Sequence, residues 1–163
     1  MSFFKVSIVR LFLSSSILLF ASCAYVYGET NIVKLGGQFS GMNEVPSNPS
    51  MGKGTVDAMF NKETRELTWT VTYSGLSGPA TAVHFHGPAP AESNAGVALG
   101  FKGSIESPIK GMATLSAEQS KDLLAGNWYV NIHTKANPGG EVRAQVMPKP
   151  QQQPPQQPMR SYY

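Results

Sequence analysis

Three histidines, His84, His86 and His133, are the residues of this sequence best placed to do chemistry together. Two of them stand as His-x-His. An extended chain sends alternate side chains to opposite faces, so Val83 and Phe85 turn toward a core while His84 and His86 share the other side. The stretch 127–134 repeats that logic, with Trp128, Val130 and Ile132 inward and Tyr129, Asn131 and His133 outward. In 141–146, Val142, Ala144 and Val146 point in, and Glu141, Arg143 and Gln145 point out. If these strands adjoin, three imidazoles gather on one surface patch with the Arg143 guanidinium nearby. Imidazole suits copper and zinc, and three nitrogen ligands with one position left open describe a reactive or exchange-capable site, not a closed structural one. The plainer alternative is that outward histidines on strands are solvated or hydrogen-bonded to loops.

Other residue types offer less. Met42 and Met51 could bring a soft thioether to copper, but methionine is more often an adaptable packing residue. Asp57, Glu63 and Glu66 form no evident acid/base pair, and no Gly-x-Ser-x-Gly elbow occurs, so a hydrolase triad has no support.

The elements that must position the histidines are strands. From Asn31 to Met147, short runs of Val, Thr, Ala and aromatic residues alternate with Gly, Pro, Asn and Ser clusters, which predicts about eight strands in an all-β, single antiparallel Greek-key β-sandwich or barrel. The clearest runs from Glu66 to Tyr73, with Leu67, Trp69, Val71 and Tyr73 on one face and Thr68, Thr70 and Thr72 on the other. Asn61-Lys62-Glu63-Thr64 is polar enough to turn the chain back from a preceding strand over 54–60. One short helix interrupts the pattern. Ser116 caps it, Gln119 completes a capping box, Leu123 and Leu124 form its apolar edge, and Gly126 suits the left-handed residue that ends it.

The two ends of the chain read differently. Residues 1–28 combine Lys5 and Arg10, an apolar stretch from Leu11 to Phe20 broken by three serines, and then small residues, which predicts a signal peptide and an extracytoplasmic address. Cys23, the only cysteine, follows Leu19-Phe20-Ala21-Ser22. This resembles a bacterial lipobox with Phe20 in place of a small aliphatic residue. Either Cys23 is lipidated, or cleavage after Ala24 or Gly28 removes it. Both outcomes leave the folded domain at 29–147 without a disulfide. Residues 148–163 are rich in Pro and Gln and predict a disordered tail, with Pro155-Gln156-Gln157-Pro158 as a minimal Pro-x-x-Pro segment. The formal charge of +3 shrinks once Lys5 and Arg10 are set aside, leaving 11 basic against 10 acidic residues. Without a basic, aromatic-interleaved face, nucleic acid is not an expected partner. Membrane contact is expected only through a lipid anchor at Cys23.

Four segments carry a family resemblance. Phe39-Ser40-Gly41-Met42-Asn43-Glu44-Val45-Pro46 resembles the opening of a CHRD (chordin-related) domain, and Ala82-Val83-His84-Phe85-His86-Gly87-Pro88-Ala89 its central histidine segment. Trp128-Tyr129-Val130-Asn131-Ile132-His133-Thr134, followed by Asn137-Pro138-Gly139-Gly140-Glu141-Val142-Arg143, resembles its closing signature. The resemblance implies an extracellular or periplasmic β-sandwich. A more distant likeness is to copper/zinc superoxide dismutases, in which a His-x-His strand, a later strand histidine and an arginine flank copper. His84, His86, His133 and Arg143 match in order and strand placement. Between His86 and His133 no further histidine bridges two metals, no histidine and aspartate cluster would take zinc, and no cysteine pair is present.

These observations order the functional readings. The first is a non-enzymatic secreted or envelope domain, used for binding or as a structural module, whose partner is an extracytoplasmic protein or a metal ion. The second is a periplasmic copper-binding protein with His84, His86 and His133 as ligands and Arg143 as a nearby anion-attracting charge. A dismutase-like oxidoreductase comes third.

Overall fold

Strict alternation of apolar and polar residues sets the architecture seen in the computed structural model, which describes residues 31–150. Eight strands form: β1 (Ile32–Phe39), β2 (Lys53–Asn61), β3 (Glu66–Ser74), β4 (Ala80–His86), β5 (Val97–Gly100), β6 (Ile109–Thr114), β7 (Trp128–Thr134) and β8 (Val142–Pro148). Among the described residues a single 3-10 turn spans Gly41–Asn43, and one helix, α1, spans Ala117–Leu124. The expected strand count, the helix and the turn after β2 are all present. The last strand reaches further than expected: Pro148, read from the sequence as the start of the tail, pairs with Leu35 of β1. The segment 1–28 expected to be a signal peptide, with Cys23, and the Pro-x-x-Pro segment of the expected tail lie outside the described residues.

All pairings are antiparallel, and the strands follow the order β5-β4-β7-β8-β1-β2-β3-β6 in one curled sheet. The curl folds β4, β5, β7 and β8 over β1, β2, β3 and β6, and apolar side chains of both halves fill the space between. Leu35, Val56, Phe60, Leu67 and Val71 from one half meet Val83, Phe85, Trp128, Val130 and Ile132 from the other, all buried. The halves join where β8 meets β1, through Leu35↔Pro148 and Gly36↔Met147, and again at the isolated bridge Ser40↔Arg143. Glycine is required there, because a Cβ at Gly37 would lie 2.1 Å from the backbone carbonyl oxygen of Gln145.

The outermost strands β5 and β6 face one another without a ladder. Phe101 fills behind them, its ring 5.2 Å from Trp69 and 5.1 Å from Phe85. Helix α1 begins with a reciprocal cap: Ser116 Oγ accepts from the Gln119 amide, and Gln119 Oε1 accepts from the Ser116 amide. Gln119 Nε2 also donates to the Ala98 carbonyl of β5. One residue thus starts the helix and engages a carbonyl of an edge strand. Gly126, at φ 76°, ends the helical turn as its sequence position predicts.

Candidate metal centre

Adjacent strands β4 and β7 carry the three histidines. Their register places Ala82 opposite His133, His84 opposite Asn131, and His86 opposite Tyr129. His133 is therefore the diagonal neighbour of His84, which is within reach for aromatic side chains on one face of a sheet. The register is unbroken from Ala82↔His133 to His86↔Tyr129, and the irregularity between Ala80 and Ala82 lies beyond it. The rings converge: centroids are 5.4 Å apart for His84 and His133, 5.7 Å for His84 and His86, and 5.9 Å for His86 and His133. One ligand nitrogen from each lies within 4.8 Å of the others. The sequence expectation that these three residues meet is met.

Hydrogen bonds decide which nitrogens are available. His86 Nδ1 is 3.1 Å from the Ala95 carbonyl, and His133 Nδ1 is 3.0 Å from the Pro138 carbonyl. A carbonyl can only accept, so in each ring Nδ1 carries the hydrogen and Nε2 keeps its lone pair. Both of those Nε2 atoms are buried without a partner, as is His84 Nδ1. Buried polar atoms ordinarily find partners. Here each of three neighbouring rings holds one that does not. Burial lowers the pKa of His84, with the charge of His133 adding to the effect. Burial also lowers that of His86, against the opposing Ala95 bond and with help from His133, His84 and Arg143. The neutral, lone-pair-bearing form is favoured.

This donor set fits a borderline transition-metal ion. Nitrogens about 2.0–2.1 Å from an ion stand up to about 4 Å apart when they oppose one another, so small ring rotations would close the observed spacing. The Ala95 and Pro138 carbonyls are the outer partners that fix tautomer and ring orientation in such sites.

Behind the histidines the structure departs from the expected open surface. Pleat parity is as read, but the outward side chains of β7 and β8 are covered. Tyr129 is 2%, Asn131 3%, Glu141 0% and Arg143 1% exposed. The cover comes from the segment 87–96 and the turn after β1. Tyr129 stacks on His86, with centroids 5.0 Å apart and planes 7° from parallel. On Tyr129 lies the guanidinium of Arg143, whose Cζ is 3.4 Å from the ring centroid. Arg143 Nη1 donates to Asn94 Oδ1, and Nη2 to the carbonyls of Pro90 and Ser93. Arg143 was expected as an exposed charge drawing anions to the histidines. It is instead an internal strut, with Tyr129 between it and His86. Met42 and Met51 are exposed.

Two residues of the site region escaped the sequence reading. Tyr129 matters through its hydroxyl, which accepts from the Ala95 amide and donates to the Ala95 carbonyl, the same carbonyl that holds His86. Glu141 accepts from Ser50 Oγ, the Ser77 amide, Ser77 Oγ and Thr134 Oγ1, pinning two loops to the end of β7. Burial pushes the Glu141 carboxyl up, but those donors together outweigh it and hold the pKa at about 2. Its signals in the sequence were outward parity beside Val142 and a place in the closing segment 137–143.

An eight-stranded β-module with an imidazole cluster on a partly covered outer face is thus defined. The CHRD domain family model matches residues 36–146, and the chain belongs to that family. All four segments that suggested the resemblance fall within the match. CHRD domains are in general non-enzymatic modules of extracellular type. No curated protein and no solved structure matches the chain. Among the described residues, no helix is long and apolar enough to cross a membrane.

Proposed function

We propose that this CHRD domain is an exported, non-enzymatic module that binds one copper or zinc ion through His84, His86 and His133 and leaves a coordination position open. The carrying observation is the three-histidine group itself: one ligand nitrogen from each ring lies within 4.8 Å of the others, and each ring holds a buried nitrogen without a partner. A fully solvated histidine face would not leave one buried, unpartnered nitrogen in each of three neighbouring rings. Copper(II) is favoured over zinc(II) by the general order of divalent affinities at nitrogen sites. The buried, engaged Arg143 argues for holding or transferring metal over anion turnover, since no free guanidinium from it is presented to an approaching anion. Export is supported by the extracellular type of the family together with the signal-like residues 1–28, and Cys23 remains the residue that lipidation would use.

The test is titration of the mature protein with copper(II) or zinc(II), followed by thermal melting and, for copper, electron paramagnetic resonance. A preformed site raises the melting temperature, by about 2.7 kcal/mol of stabilisation when free metal is a hundredfold above Kd. His84→Ala and His133→Ala abolish both the shift and a nitrogen-coordinated copper signal. A melting temperature indifferent to metal in the parent protein would sink the reading.

A further inference from the structure

A second cleft, of about 450 Å³, opens between the residues after β1 and the segment that covers Arg143, lined among others by Glu44, Val45, Ser47, Glu92, Arg143 and Gln145. The groups at its floor share one property: their donors are engaged inside the protein, while acceptors are left over. Gln145 Nε2 donates to the carbonyls of Ala89 and Gly126, and Gln145 Oε1 has no partner. Both terminal nitrogens of Arg143 donate to the 90–94 segment. Asn43 Nδ2 donates to the carbonyls of Gln38 and Arg143. Glu44, only 7% exposed, accepts from Asn131 Nδ2 through Oε2, and its Oε1 has no partner.

Burying an unpaired carboxylate oxygen is costly. The cleft by itself meets that cost by favouring a proton on Glu44. A group that brings several hydrogens to the cleft that Glu44 and Gln145 both line would take that proton's place. Charge points the same way. The cleft holds two carboxylates, Glu44 and Glu92, against the single guanidinium of Arg143, and the pull of Arg143 does not prevent burial from raising Glu44 to a pKa of about 7. A cation placed at Oε1 would supply what Glu44 lacks.

We infer that this cleft binds a primary ammonium group, presented by a small free amine or by the lysine side chain of a partner protein. The –NH₃⁺ donates to Glu44 Oε1 and Gln145 Oε1 with Glu92 at the rim, and three donors on a compact charge suit this acceptor set. Its apolar stem would follow Val45 and Pro46. This site is separate from the histidines and does not depend on metal binding there.

Calorimetric titration of the mature, full-length chain with 1,5-diaminopentane tests it. Saturable 1:1 binding is expected, weakened at least about tenfold in Glu44→Gln, as for loss of a charge-assisted hydrogen bond, and unchanged in His84→Ala. Glu92→Gln, at the rim, weakens it less and serves if Glu44→Gln does not fold. An extended lysine-containing peptide that binds more tightly than the diamine identifies a protein source, and a weaker one identifies a free amine. Absence of saturable amine binding overturns the inference. So does equal binding of the permethylated diamine, which has charge but no hydrogens to donate, or binding of calcium in place of the amine.

Discussion

Glu141 and Glu44 show how one residue type takes opposite roles a short distance apart in the fold. Glu141 is buried among donors and held at a pKa of about 2, below its ordinary 4.5. Its contribution is fully present above pH 4.5 and is lost as pH falls toward 2, amounting to on the order of 3 kcal/mol. Glu141→Gln should therefore remove most of the acid-side slope in denaturation free energies measured between pH 2 and 5. Glu44 is raised by burial to about 7, against the opposing charge of Arg143 and the Asn131 hydrogen bond. The folded state prefers its protonated form, so its contribution is present below pH 4.5 and fades as pH rises through 7. Arg143 and Glu92 are the charged groups that share its cleft. Glu44→Gln should flatten the stability profile between pH 5 and 8, and an unchanged slope there would contradict this account. Neither role was legible in the sequence. Glu141 read as an outward residue at the start of a strand and Glu44 as part of the segment after β1, and only the tertiary cover makes both buried.

At the scale of elements, what the sequence disclosed was parity and what it withheld was register. A period of two put His84, His86 and His133 on one side of their strands, and β4 and β7 obey it. The two-residue diagonal that brings His133 beside His84 is a matter of how β4 and β7 pair, which neither strand's own residues specify. The cover over β7 and β8 was equally hidden, because a loop's path is set by the groups it satisfies, here the Arg143 and Tyr129 side chains. The helix was legible down to its cap, since a capping box is a local pattern. What was not local is the bond from Gln119 to the Ala98 carbonyl. Ser116→Ala should cost about 1 kcal/mol, as for loss of an N-cap. Gln119→Ala should cost more than that in urea denaturation, because it also frees an edge carbonyl. Equal losses would mean that the second bond contributes nothing.

For the whole molecule, the all-β curled sheet followed from strand count and alternation, and its order from pairings far apart in sequence that composition cannot specify. The sheet is unevenly fastened. Strands β7 and β8 are each paired on both sides, whereas β5 and β6 are each paired on one. Hydrogen exchange should accordingly be fastest in 97–100 and 109–114 and slowest in 128–134, and uniform protection across the strands would count against this picture.

That uneven fastening bears on the imidazoles. Both strands that carry them are interior to the sheet and already zipped together, His86 against Tyr129 and His84 against Asn131. An ion arriving there would join no loose ends, and one departing would take no scaffold away with it. On the proposed metal-binding reading, the domain would be a standing berth, able to lend out its guest and take another without refolding in between.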